Sequence, residues 1–196
     1  MSGHAGSSRT ERGRHGDSGD GGVRARIGAR EAVSEISIRA AGSGDAEAIS
    51  TIYNQGILDR IATLETEPRT PEERREWLAA RGARHPVIVA EAEGRVIGWG
   101  SLNPFSARPA YQYVADFSVY VERAWRGQRV GRRLLEGLIE AARGLGYHKM
   151  VLAAFPFNES GVALYARMGF TTVGVYHEQG LLDGRWVDTI IMEKLL

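Results

Sequence analysis

Between Phe117 and Ala142 the apolar pattern changes period, and a short glycine-containing stretch marks the change. Phe117-Ser118-Val119-Tyr120-Val121 alternates as a half-buried strand does, while Leu134, Leu135, Leu138, Ile139 and Ala142 recur at helical spacing. Arg126-Gly127-Gln128-Arg129-Val130-Gly131 joins the two. A turn that opens a helix leaves the first backbone N–H groups unpaired. Together with the positive end of the helix dipole, they form a seat for a phosphate. The stretch fits neither the dinucleotide fingerprint GxGxxG nor the Walker pattern GxxxxGK[ST].

The rest of the chain limits what can stand beside that seat. With 196 residues and 43% apolar content it can bury one real core. A net charge of +1 argues against nucleic acid or a membrane surface as partner. The absence of cysteine excludes thiolate metal sites and a cysteine nucleophile, and suits a reducing cytoplasm, where we expect the protein. No apolar run approaches the about 20 residues that span a bilayer, and the N-terminus lacks the apolar core of a secretory signal. Residues 1 to about 35 are rich in Gly, Ser, Arg and Asp, with almost no large apolar residue before Ile27. They read as a disordered tail carrying His4 and His15, ahead of a domain over residues 36–196. The composition break at Val33-Ser34-Glu35-Ile36 leads us to expect the true start near Val33.

Within the domain, Ile36 to Arg39 alternates as a strand, and Asp45 is the expected N-cap of a helix carrying Ile49, Ile52 and Tyr53. Thr70-Pro71-Glu72-Glu73 predicts a capping box opening a helix that ends near Gly82. Val87–Glu91 and Val96–Gly100 read as a hairpin around Glu93-Gly94. A strand is predicted from Tyr111 to Val121, another from Lys149 to Ala153, and a short helix from Ser160 to Met168. Two strands, about Phe170–Tyr176 and Trp186–Glu193, close around Asp183-Gly184. The order predicts an α/β (α+β) fold with a mixed, mostly antiparallel sheet.

The glycine turn, with Asn158 and Tyr165 on the following strand and helix, resembles the GCN5-related N-acetyltransferase superfamily. Its pyrophosphate loop reads Arg/Gln-x-x-Gly-x-Gly/Ala. Tyr53-Asn54-Gln55-Gly56-Ile57, Ile61 to Thr66, Pro104-Phe105 with Arg108 and Tyr111, Ala115 to Val121, Gly174-Val175-Tyr176 and Leu182 to Trp186 with Asp188 are similar to its phosphinothricin and arsinothricin N-acetyltransferase branch. The resemblance covers about residues 36 to 196. It implies splayed parallel strands in the sheet and acetyl-CoA as co-substrate, with no metal. It also implies a small amino-acid substrate and a homodimer.

The resemblance also implies roles. Arg126 matches the first loop position and Gly131 the last; Gly127, Gln128, Val130 and Arg132 complete the acetyl-CoA loop. Arg129 replaces the middle glycine. If that position needs a left-handed backbone, Arg costs about 1–2 kcal/mol; we read it instead as needing only an N–H, with Arg129 adding a cation near the phosphates, because Arg132 and Arg133 continue the same positive lip. Backbone N–H groups at Val119 or Val121 would hold the acyl oxygen, and Asn158 the pantetheine arm. Asp116 stands where the branch has a glutamate base. Being one methylene shorter, it would reach the amine through water. Tyr165 holds the position of the general acid, and a half-buried core aromatic is the competing reading. Arg108 would clamp the substrate carboxylate, with Phe105 and Tyr111 as apolar walls and Asn54 and Glu65 lining the acceptor side. Trp186 and Asp188 would border the acceptor pocket at a dimer edge, and no His, Asp or Glu spacing suggests a metal. Three functions remain open: acetylation of a small amino-acid analogue, acetylation of a protein N-terminus, lysine or polyamine, and acyl-CoA sensing without turnover.

Overall fold

The computed structural model describes residues 35–196. The expected tail, with His4, His15 and the start near Val33, lies outside the described residues. Seven strands, β1 (Ser37–Ala40), β2 (Val87–Ala92), β3 (Arg95–Pro104), β4 (Val114–Val121), β5 (Lys149–Ala154), β6 (Thr171–Leu182) and β7 (Arg185–Leu195), form one sheet in the order β1-β2-β3-β4-β5-β7-β6. All neighbours are antiparallel except β4 and β5. The helices are α1 (Ala46–Leu58), α2 (Pro71–Ala79), α3 (Val130–Gly144) and α4 (Glu159–Arg167). Among the described residues, no helix is long and apolar enough to cross a membrane.

Local chemistry accounts for most element ends. Thr70 Oγ1 accepts the Glu73 N–H while Glu73 returns a bond to the Thr70 N–H, with Pro71 in the first turn. Both hairpin turns use positive φ, at Glu93-Gly94 and at Asp183-Gly184, as tight turns matched to strand twist require. Three expectations need correction. Asp45 does not cap α1 with its side chain: its carboxylate takes the Gly42 N–H and pairs with Arg39, closing a short 3-10 turn before the helix. The strand predicted from Tyr111 begins at Val114, because Pro109 starts a 3-10 turn through Tyr111. The helix after Thr70 stops at Ala79, short of Gly82.

Strand alternation sends Phe117 and Val119 to one face and Asp116, Ser118 and Tyr120 to the other. On the first face, Leu135, Leu138 and Ile139 of α3 bury against Leu102, Phe117 and Met150. On the second, Ile49, Ile52, Tyr53 and Ile57 of α1 pack on Val89 and Trp99. Trp99 stacks on Tyr120 at 4.8 Å, with Tyr53 edge-on to Tyr120 at 4.9 Å. Two glycines of β3 let α3 lie close to the sheet. A Cβ at Gly100 would sit 2.9 Å from Leu138 Cδ1, and one at Gly98 would sit 3.0 Å from Leu134 Cδ1. That close seat sets the N-terminus of α3 beside β4.

Candidate active site

The parallel pairing of β4 with β5 covers only Val114↔Lys149 to Asp116↔Val151, although β4 runs on to Val121 and β5 to Ala154. The two strands therefore part at Asp116. On its other edge β4 stays paired with β3, and Glu122 N–H donates to Ile97 at 2.9 Å. Antiparallel pairing alternates, so even-numbered residues of β4 point their backbone groups at β3 and odd-numbered ones point theirs into the gap. Phe117 N–H is taken by Asp116 Oδ1 at 2.6 Å, and the Val121 carbonyl accepts from Arg126 Nε at 3.2 Å. The Val119 and Val121 N–H groups face the gap.

The gap opens into a cleft of about 500 Å³ between β4, the start of α3 and α4. Its lining includes Val119, Val121, Arg126, Gly127, Arg129, Val130, Gly131, Arg132, Asn158 and Tyr165. At Gly131 the walls are close: a Cβ there would meet Leu164 at 3.3 Å and Val121 at 3.6 Å. No side chain caps the start of α3, so its first N–H groups remain as anion donors.

The arginine at 129 does not follow the expectation. It is left-handed, with φ 66° and ψ 7°, and Gly127 has φ 77°. The position does need the backbone a glycine supplies, and Arg129 holds it at a cost of about 1–2 kcal/mol. Arg126 lies in the loop, but its guanidinium pairs with Asp59 at 2.6 Å and so ties the loop to the end of α1. Gln128 turns away: its amide donates to the Ala124 carbonyl at 2.9 Å, and it does not line the cleft. Asn158 caps α4, its Oδ1 accepting from Gly161 N–H at 3.1 Å and from Ser160 Oγ at 3.3 Å. The Nδ2 group makes no hydrogen bond among the described residues.

Asp116 stands at the point of divergence, facing Asn103 of β3 in register. Burial pushes its carboxyl up to about 6, opposed by the Phe117 N–H. Tyr165 packs edge-on against Phe117 at 5.8 Å. Its phenol is pushed up to about 12 by burial, with the charge of Asp116 adding to the shift. The ring is thus a core aromatic whose hydroxyl stays protonated and close enough to feel Asp116.

The expected acceptor residues fall in two places. Phe105 and Tyr111 share the exposed loop between β3 and β4 with rings 5.2 Å apart, and Arg108 lies between them in sequence with its own N–H on Ser106 Oγ. Asn54 is a brace instead: its amide donates to the Arg69 carbonyl and accepts the Arg69 N–H, both at 2.8 Å. Glu65 pairs with the Arg69 side chain at 2.8 Å. Asp188 accepts from His177 at 3.0 Å and from Glu178 N–H at 2.8 Å, closing the bulge in β6. Trp186 is 61% exposed. Among the described residues no cluster of His, Asp and Glu is placed to hold a metal. Sequence reasoning missed Gly56, Ile61, Ala62, Trp125, Leu164 and Arg167 as cleft residues. Ile61 and Ala62 lie within the motifs behind the resemblance, but no local signal places them opposite Val119.

Comparison with known proteins agrees with this geometry. The model of the Acetyltransferase (GNAT) family matches residues 53–170. The chain is 31% identical to the phosphinothricin N-acetyltransferase of Streptomyces coelicolor over 166 residues, covering 83% of this chain and 97% of that one. It is 33% identical to the L-methionine sulfoximine/L-methionine sulfone acetyltransferase of Salmonella typhimurium over 162 residues, covering 82% and 95%. A GNAT superfamily phosphinothricin acetyltransferase from Sinorhizobium meliloti, solved in complex with acetyl-CoA, superposes with a TM-score of 0.78 at 31% identity, over 82% of this chain and 88% of that one. A helix N-terminus set against the gap where two parallel strands part, in a chain with these relatives, marks a member of the GNAT family of acetyltransferases, on its phosphinothricin acetyltransferase branch.

Proposed function

We propose that the protein transfers the acetyl group of acetyl-CoA directly, in a ternary complex, to the α-amino group of a small amino-acid analogue of the phosphinothricin, methionine sulfoximine or arsinothricin type. The observation that carries this reading is the parting of β4 and β5 at Asp116. It leaves the odd-numbered N–H groups of β4 and the uncapped start of α3 facing one cleft, with the partly buried Asp116 carboxylate at the point where the strands part. The names of the relatives supply the acceptor class.

The residues fit such a donor. The first N–H groups of α3 would receive its pyrophosphate, and Gly131 leaves room for the arm between β4 and α4. Asn158 Nδ2 would hydrogen-bond an amide carbonyl of that arm. Acetyl-CoA, when bound, supplies an activated thioester acyl group. Val119 N–H would donate to its carbonyl oxygen as negative charge grows there. Asp116 takes the ammonium proton through a water, since its Oδ1 is already drawn back to Phe117 N–H. Tyr165 donates its hydroxyl hydrogen bond toward the departing sulfur.

Thiol release with phosphinothricin, methionine sulfoximine and arsinothricin tests the reading. Release with none of them, but with peptide N-termini, lysine or polyamines, would move the activity to macromolecular or cationic acceptors. Acetyl-CoA binding without any turnover would leave a sensor. The Arg108 guanidinium, with no partner among the described residues, is our carboxylate clamp. Arg108→Ala should raise the KM for the amino acid about 10–100-fold, the worth of a charge-assisted hydrogen bond, while leaving that for acetyl-CoA unchanged; equal rises would remove it from this role. The proposal includes a cytoplasmic homodimer. In support, β6 is an edge strand exposing Val173, Val175, Tyr176 and Leu181, with Trp186 beside them. Light scattering at the monomer mass would rule the dimer out.

A further inference from the structure

We propose that Arg129 makes the protein selective for a phosphate-bearing acyl carrier: its guanidinium, held on a left-handed backbone where a glycine would be unstrained, reads the phosphates of coenzyme A and discriminates against short pantetheine thioesters. This rests on acetyl-CoA being the acyl donor.

The arginines around the turn are not equivalent. Arg123 and Arg126 both pair with Asp59 at 2.6 Å. Arg132 pairs with Glu136 at 2.8 Å, and Arg133 donates to the Ile36 carbonyl at 2.8 Å. Arg123 and Arg126 thus tie the loop to the end of α1, Arg133 ties α3 to the residue before β1, and Arg132 is held along its own helix. The Arg129 side chain has no such partner among the described residues, is exposed, and stands at the mouth of the cleft beside the uncapped N–H groups of α3. Its backbone conformation disfavours an arginine, so a glycine there would relieve strain and leave the helix start unchanged. What a glycine could not supply is the cation. A planar, permanently charged fork beside a pyrophosphate seat matches a phosphate oxygen pair. The pantetheine arm carries no charge for it to meet.

The test compares binding of coenzyme A, 3′-dephospho-coenzyme A and pantetheine to the full chain and its variants by calorimetry. Arg129→Asn tolerates the left-handed backbone without the charge, and Arg129→Gly removes strain and charge together. Both variants should bind coenzyme A about tenfold more weakly and pantetheine within twofold of the parent chain. The response to 3′-dephospho-coenzyme A locates the contact. An undiminished tenfold loss assigns it to the pyrophosphate, and a reduced loss assigns it to the 3′-phosphate; either supports phosphate reading. Arg129→Gly should also melt about 2 °C higher, showing that the weaker binding does not come from a damaged fold. Unchanged coenzyme A affinity in both variants, or equal losses for coenzyme A and pantetheine, would overturn the proposal. If the parent chain binds no coenzyme A at all, the acyl-donor reading fails first and takes this one with it.

Discussion

Asp116→Asn should lower kcat about 10²–10⁴-fold above pH 7, the usual contribution of a positioned general base, and should make the protein more stable. Both effects come from one cause. Burial raises the Asp116 carboxyl from 3.8 to about 6. As a base it must be ionised, so kcat/KM of the parent protein should fall as pH drops through about 6. The stability sign runs the other way. Between pH 4 and 6 the native state holds a proton that the unfolded chain releases, so stability declines as pH rises through that window. Above it, the ionised buried carboxylate costs up to about 3 kcal/mol. An asparagine can still accept the Phe117 N–H through Oδ1, and it carries no charge. Above pH 7 the variant should therefore melt several degrees higher while turning over far more slowly. Thermal melts at pH 4 and pH 8 beside a pH–rate profile check this. An unchanged rate removes Asp116 as base, and a lower melting point at pH 8 contradicts its buried, destabilising charge.

Tyr165→Phe should lower kcat about 10–100-fold with little change in the KM for acetyl-CoA. A phenol pushed up to about 12 stays protonated across the working range. That makes it a poor source of a fully transferred proton and a good hydrogen-bond donor to a sulfur gaining negative charge. Such a bond to a charged group is worth about 1.5–3 kcal/mol. Phenylalanine keeps the ring contacts with Phe117 and Phe170, so the melting point should barely move. A kcat equal to that of the parent protein would reduce Tyr165 to a packing residue. A large fall in melting point would mean that the hydroxyl is structural.

Much of the fold was legible because its signals span only a few residues. The capping box at Thr70 and Glu73, the glycine hairpins at 94 and 184 and the apolar stripe of α3 each close within one or two turns of chain. Asp45 shows the limit. Its residue type announced a cap, but Arg39 and the Gly42 N–H competed for the same carboxylate. Through the family resemblance Val119, Val121, Arg126, Gly131, Asn158 and Tyr165 were legible as neighbours, and they line one cleft; the contacts of the named residues were less legible. Asn54 went to the Arg69 backbone and Arg126 to Asp59, because those partners arrive from other elements.

From its sequence alone this protein determines a strand, a glycine turn and a helix start in that order, and hence an anion seat. Those follow from side-chain period and from backbone groups that a helix end always leaves unpaired. Tertiary structure decided where β4 and β5 part, that residue 129 is left-handed despite being arginine, and that burial pushes the Asp116 carboxyl up to about 6. Each depends on what packs around the residue from distant parts of the chain: strand register, loop anchoring through Asp59, and the low-dielectric surroundings that burial creates around a carboxylate.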